Sequence, residues 1–116
     1  MEYVVLNIAK DYTETPGARK RNQGKYSGED FLETKLIPEF KKAQAENKQL
    51  LVDLDGCYGF LLSFIDEAFG GLTLKFGKRA VDEVLKVECK DEKSLLETIN
   101  TVIEEWEKKR KSEGGD

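Results

Sequence analysis

Three short runs rich in aliphatic and β-branched residues, YVVLNI (3–8), QLLVDLD (49–55) and VLKVEC (84–89), are each followed by a stretch whose apolar residues recur every three or four positions. Such short runs suit a pleated, half-buried strand, and the longer spacing suits one face of a helix. The alternation predicts an α/β fold, a small domain with a mixed or mostly parallel sheet flanked by helices. Each connection is long enough for a right-handed crossover between parallel neighbours. QLLVDLD, with its Leu-Leu-Val run, is expected at the centre of the sheet, flanked by 3–8 and 84–89, with Leu51 in the core. Hairpin pieces in the first connection, AKDYTETPGARKRNQGKY, would raise three strands to four or five. A length of 116 residues predicts one domain with a single core.

Ser27, with Asp30 three residues on, predicts an N-cap for a helix running toward Ala45. Leu32, Leu36, Ile37, Phe40 and Ala43 form its apolar face, and Pro38, lacking an N–H for the Thr34 carbonyl, predicts a kink. Ser63 reads as the N-cap of a second helix over 64–76, with Asp66 as its box partner and Gly77 as its terminator. Phe64, Ile65, Ala68, Phe69, Leu72 and Phe76 give that helix a wide inward surface, with Asp66 left partly exposed. A last helix begins after Asp91 or Ser94, the latter with Glu97 as a capping box, and carries Leu95, Ile99, Val102, Ile103 and Trp106. The domain is expected to span 1–111, fraying from about Lys108 into a polar tail at 112–116.

Composition narrows the function. A count of 19 Lys+Arg against 23 Asp+Glu gives a net charge of -4, which argues against a general nucleic-acid coat. The basic signal is local: ARKRNQGK (18–25) holds Arg19, Lys20, Arg21 and Lys25 with no acid. The longest apolar stretch, GFLLSFIDEAFGGLTLKFG, is interrupted by Asp66, Glu67 and Lys75 and is too polar to span a membrane. MEYVVLNIAKDY has neither a basic start nor a small-residue cleavage site, and Cys57 and Cys89 with no histidine suit neither a zinc site nor a disulfide scaffold. The expectation is a cytoplasmic protein with buried thiols and no cofactor.

Two segments carry functional signals. In LVDLDGCYGFLLSFIDEAFGG (51–71), Asp53, Asp55, Asp66 and Glu67 are expected near one strand-to-helix edge. Four carboxylates there have the hard oxygens a divalent cation needs, or a general acid and base; capping and dipole compensation by Asp66 and Glu67 is the plainer account. Gly70 and Gly71 cost a helix about 2 kcal/mol relative to alanine, so a neighbouring element or a partner must approach the backbone there. In GARKRNQGKYSG, Gly17, Gly24 and Gly28 accompany the cations ahead of a helix start, a setting for an acidic or phosphorylated partner. The spacing is not that of a P-loop, and the one adjacent aromatic, Tyr26, is a thin basis for nucleic-acid stacking.

GARKRNQGKYSGEDF, LVDLDG and above all SFIDEAFGGL resemble the bacterial and archaeal STAS-like family of unknown function, over roughly residues 17–105. The resemblance implies a fold like that of the anti-sigma-factor antagonists, with a sheet flanked by helices. It also implies a serine at the start of the second main helix, phosphorylated by a histidine-kinase-like ATPase partner. Ser63 falls near that position, although Phe64, Asp66 and Glu67 replace the small neighbours of the antagonist pattern.

The expected function is a non-catalytic signalling or regulatory module that binds a protein partner through the 56–71 edge, with Ser63, Asp66, Glu67, Gly70 and Gly71 as its site residues and the 17–28 basic loop nearby. A second reading is a small metal-dependent enzyme or accessory subunit using Asp53, Asp55, Asp66 and Glu67. A third is nucleic-acid binding through Arg19, Lys20 and Arg21.

Overall fold

The structure, a computed structural model, describes residues 2–114. β1 (Tyr3–Asn7) runs into a one-turn helix, α1 (Ile8–Asp11), where the Asn7 side chain accepts the Lys10 N–H. After a connection holding a 3-10 turn at Arg21–Gln23, α2 (Gly28–Phe31) passes through a π-helical turn (Leu32–Leu36) into α3 (Ile37–Ala45). β2 (Gln49–Asp53), α4 (Leu62–Phe76), α5 (Lys78–Val84), β3 (Leu85–Glu88) and α6 (Ser94–Ser112) follow. The strands pair in parallel in the order β1-β2-β3, so the α/β fold is present with QLLVD at its centre. Among the described residues the long connection adds no hairpin strand.

Register corrects one expectation. Val4, Leu50 and Leu85 lie side by side, as do Leu6, Val52 and Val87, and this face meets the helices. Val5, Leu51 and Lys86 form the alternate row, where Val5 is 59% exposed and Lys86 is exposed. Leu51 is therefore on the open face, and Leu50 and Val52, both fully buried, are the core residues of β2. In a Leu-Leu-Val run either phase of the pleat is apolar, so the sequence pattern does not choose between them.

Helix boundaries show which local signals win. Ser27 caps α2 as expected, its Oγ accepting the Asp30 N–H at 3.0 Å. Pro38 sits near the start of α3, directly after the π turn, where the Ile37 N–H bonds back to the Leu32 carbonyl; the widened turn takes up the missing donor. α5, absent from the sequence reading, starts at Gly77, whose φ of 88° lets the chain leave α4 and begin a new helix at once. α6 continues to Ser112 rather than fraying at Lys108, with Lys109, Arg110 and Lys111 in its last turn complementing the helix dipole. Its first helical residue is Ser94, which does not act as an N-cap. Of the tail expected over 112–116, Ser112 closes α6, Glu113 and Gly114 form a turn, and residues 115–116 lie outside the described residues.

α4 is the central packing element, in contact with α2, the π turn, α5 and α6. Phe64, Ile65, Ala68, Phe69 and Leu72 are all fully buried, as the helical spacing predicts. Gly70 and Gly71 explain how so many elements meet on one helix. A Cβ at Gly70 would overlap the Trp106 indole of α6, and one at Gly71 would overlap a terminal methyl of Leu32. Gly70→Ala is therefore expected to destabilise by about 1–3 kcal/mol despite the better helix former, because the rigid ring must move. Gly71→Ala meets only the end of a flexible side chain, and its penalty is expected to be smaller by at least about 1 kcal/mol. Paired urea titrations check this; equal effects would show that the indole is not held against Gly70.

Candidate functional site

The two functional segments of the sequence are brought together, and they satisfy each other. Arg19 donates to the Asp66 carboxylate at 2.6 Å and lies 3.6 Å from Glu67, while Lys20 reaches Glu67 at 3.0 Å. The other Asp66 oxygen accepts the Trp106 Nε1–H at 2.8 Å, joining the loop, α4 and α6 at one carboxylate. Arg21 turns the other way, to Asp30 and Glu33 of the helix that follows. Of the four cations, only Lys25 lacks an ion-pair partner among the described residues. A loop neutralised by its own chain presents little of the free positive charge that phosphate backbones require. Isolated pairs this exposed add little stability each; their role here is to hold the loop in one place.

The long connection is also fixed by its backbone and by rings. The Gly17 N–H donates to the Tyr26 carbonyl at 2.9 Å, and the N–H groups of Gly28 and Glu29 donate to Ala18 and Arg19. Tyr12 donates to Asp30 at 2.7 Å, and this bond, with Arg21 beside it, holds the Asp30 carboxyl below the ordinary carboxylate range. A lowered pKa means that the bond stabilises the fold above the ordinary range and loses its contribution as pH falls from there through the lowered value. Tyr26, Tyr12, Phe31, Phe64 and Phe60 follow one another at centroid separations of 5.2–5.8 Å, a ladder of rings beneath the β2–α4 connection.

The carboxylates at the end of β2 do different work. Asp53 accepts from Asn7 Nδ2 at 3.1 Å and from the Asp55 N–H at 3.0 Å, tying β2 to β1. Asp55 accepts the N–H groups of Lys90 and Asp91, both at 2.8 Å, and so fastens the loop before α6. The expected four-carboxylate cluster is thus divided into two networks, Asp53 with Asp55 and Asp66 with Glu67. Among the described residues no three acids or cysteines gather as metal ligands would. Cys57 and Cys89 are free thiols; burial pushes Cys57 up to about 11, and its Sγ–H donates to the Thr13 carbonyl.

Ser63 is not the N-cap. α4 begins two residues earlier than expected, with Leu61 in the cap position and no side chain capping it, so Ser63 is the second helical residue, and it is partly exposed. The capping box with Asp66 does not form, because Asp66 is held by Arg19 and Trp106. Gly70 and Gly71 face Trp106 and Leu32 rather than open surface.

The surface that remains open lies within the 56–71 edge, at residues the sequence reading does not single out. Tyr58 in the connection between β2 and α4, Leu61 at the uncapped cap position and Leu62, the first residue of α4, are 85, 55 and 65% exposed. Their hydrophobicity reads as core in a linear pattern, but Gly56 and Gly59, with φ of 98° and 154°, turn the chain outward there. The loop is nonetheless well anchored. The Tyr58 N–H donates to the Glu14 carbonyl, the Gly56 N–H to Asp91, and Phe60 packs under it against Phe64.

A three-stranded parallel sheet with helices on one face and an outward-turned loop at the strand ends defines a small α/β domain of the STAS-like type. The chain belongs to the family described as STAS-like domain of unknown function (DUF4325), whose profile matches residues 27–94, from the α2 cap to the first residue of α6. The clamping loop around Arg19 lies outside the matched span. No curated protein matches the chain. No solved structure matches it either. Among the described residues no helix is long and apolar enough to cross a membrane.

Proposed function

We propose that this domain is a non-catalytic regulatory module that docks a protein partner through the β2–α4 edge. The observation that carries the reading is the exposure of Tyr58, Leu61 and Leu62, on a firmly held loop and the first residue of the helix it leads into. Large apolar side chains exposed close together in sequence favour a protein interface, and a fixed loop loses little entropy on binding. Asp66 and Glu67 support the edge from within, by anchoring the basic loop, rather than contacting the partner.

Ser63 directly follows Leu62, and its phosphorylation is the proposed control. A phosphate there adds a charge of about -1.5 to -2 at a helix N-terminus that no side chain occupies. Arg19 and Lys20 already neutralise Asp66 and Glu67 one turn on, which offsets the repulsion those acids would exert. The same charge placed against an apolar interface opposes docking. The resemblance to anti-sigma-factor antagonists supports a histidine-kinase-like ATPase as the class of partner.

The test places a photo-crosslinking side chain at Tyr58 and compares capture by wild type, Leu62→Asp and Ser63→Asp. One protein should crosslink specifically to wild type, and both variants should lose it while their melting temperatures stay within a few degrees of wild type. Equal crosslinking to Leu62→Asp, or none above background, removes the edge as the docking surface. Unchanged capture by Ser63→Asp removes only the switch.

A further inference from the structure

The sheet ends at β1 in an unguarded edge. β1 reads YVVLN, with neither charge nor proline, whereas the opposite edge, β3, carries Lys86 and Glu88. Bare apolar edges invite another strand, and charged edges discourage one. The Gln49 N–H donates to the Glu2 carbonyl, which sets the phase of β1: the main-chain groups of even residues face β2, and those of Tyr3, Val5 and Asn7 face outward. The Asn7 N–H is closed off by the Asp11 carboxylate at 2.8 Å. Tyr3 and Val5 therefore keep outward donors and acceptors open, and their side chains, 41 and 59% exposed, stand together on the uncovered face of the sheet.

We propose that β1 pairs antiparallel with β1 of a second copy of this chain, joining two sheets of three strands into one of six. The two-fold axis passes beside Val4. In this register Tyr3 of each copy exchanges both main-chain hydrogen bonds with Val5 of the other, which uses all the open groups of those two residues. Each tyrosine ring then lies directly across from a valine, a favourable cross-strand pair.

A second, independent feature selects a copy of this chain as the occupant. Beside the β1 edge, facing the same groove, stand Lys35, Glu39, Lys42 and Glu46. They alternate in sign, and a two-fold axis between Glu39 and Lys42 sets Lys35 against Glu46 and Glu39 against Lys42 of the other copy. Glu46 is also bound by Lys48, while Lys35, Glu39 and Lys42 have no ion pair among the described residues. The row extends about 17 Å along its helix, matching the length of a five-residue strand. α3 packs on both β1 and β2. With strands about 4.8 Å apart, its symmetry mate would lie about 10 Å away, a normal helix-packing distance.

The test is the mass of the full chain by sedimentation equilibrium from about 1 to 200 μM, with three variants. Wild type should show a concentration-dependent dimer. Val5→Pro removes an outward N–H that no bond within the sheet uses, so it should keep the wild-type far-ultraviolet spectrum and be monomeric. Lys42→Glu should raise the dimer Kd about tenfold or more, and the swap Glu39→Lys with Lys42→Glu should restore it, since opposite charges again face each other. Should Val5→Pro fail to fold, the two charge variants decide alone. A wild type that stays monomeric throughout the range overturns the proposal and leaves the edge to a strand of another protein. A dimer that Lys42→Glu leaves unweakened, or that the swap does not restore, overturns it as well.

Discussion

Leu50→Asp is expected to unfold the domain at 25 °C, whereas Leu51→Asp leaves it folded. The two residues are neighbours on the central strand and differ only in the face they present. Leu50 lies between Val4 and Leu85 on the covered face and is fully buried; Leu51 lies between Val5 and Lys86 on the open one. A carboxylate at position 50 has no cation or donor in the apolar cluster to receive it, and an unpaired polar group there costs about 2–7 kcal/mol, more when ionised. That is comparable with the whole stability of a small domain, about 5–15 kcal/mol. At position 51 the carboxylate borders Lys86 and water, and the change should stay below about 1.5 kcal/mol. Far-ultraviolet circular dichroism with urea titration separates the cases. A folded Leu50→Asp, or an unfolded Leu51→Asp, would mean that β2 is paired one residue out of this register.

Leu51 marks the boundary of what a linear pattern carries. Element order and the central place of QLLVD are legible because strand and helix periods differ and because parallel neighbours need long crossovers. The phase of β2 is not, since Leu50, Leu51 and Val52 are all apolar and only pairing partners distinguish the faces. The acid and basic segments show the same limit. Their residue types are plain in the sequence, but Arg19 and Asp66 are 47 positions apart, and their 2.6 Å contact depends on the path of the intervening chain. Read separately, each looks like a surface awaiting a partner; in the fold each is the other's partner. Ser63 fails for a local reason: a serine ahead of an apolar run signals a cap, but Leu61 already has extended backbone and α4 starts at the next residue. Tyr58, Leu61 and Leu62 do not stand out within the 56–71 edge, since leucine and tyrosine in an apolar run carry no sign of exposure unless the glycine-led turns around them are given weight.

Phe69→Ala is expected to cost about 3–5 kcal/mol, the loss for removing a fully buried ring whose surroundings relax only partly. Partial relaxation is the expected case here because α4 is confined on several sides. Gly70 holds the Trp106 indole at close range, Gly71 holds Leu32, and the Gly28 backbone lies against the Phe64 carbonyl. Close approaches set by glycine backbones cannot shorten further, so the space left by the ring stays open, and cost rises with the cavity that remains. Leu74→Ala is the control on the same helix: Leu74 is 42% exposed, and its loss should stay below about 1.5 kcal/mol. Urea titrations of both variants give the free energies, and thermal melts should show Phe69→Ala about 10–20 °C below wild type. A change under about 1 kcal/mol at Phe69 would place the inward surface of α4 elsewhere. The β2–α4 connection rests on that surface through Phe60 and Phe64, so the same variant tests the platform beneath Tyr58, Leu61 and Leu62. Below its lowered melting point it should still present the edge and crosslink at position 58, because the ring is removed from the core and those three residues are untouched.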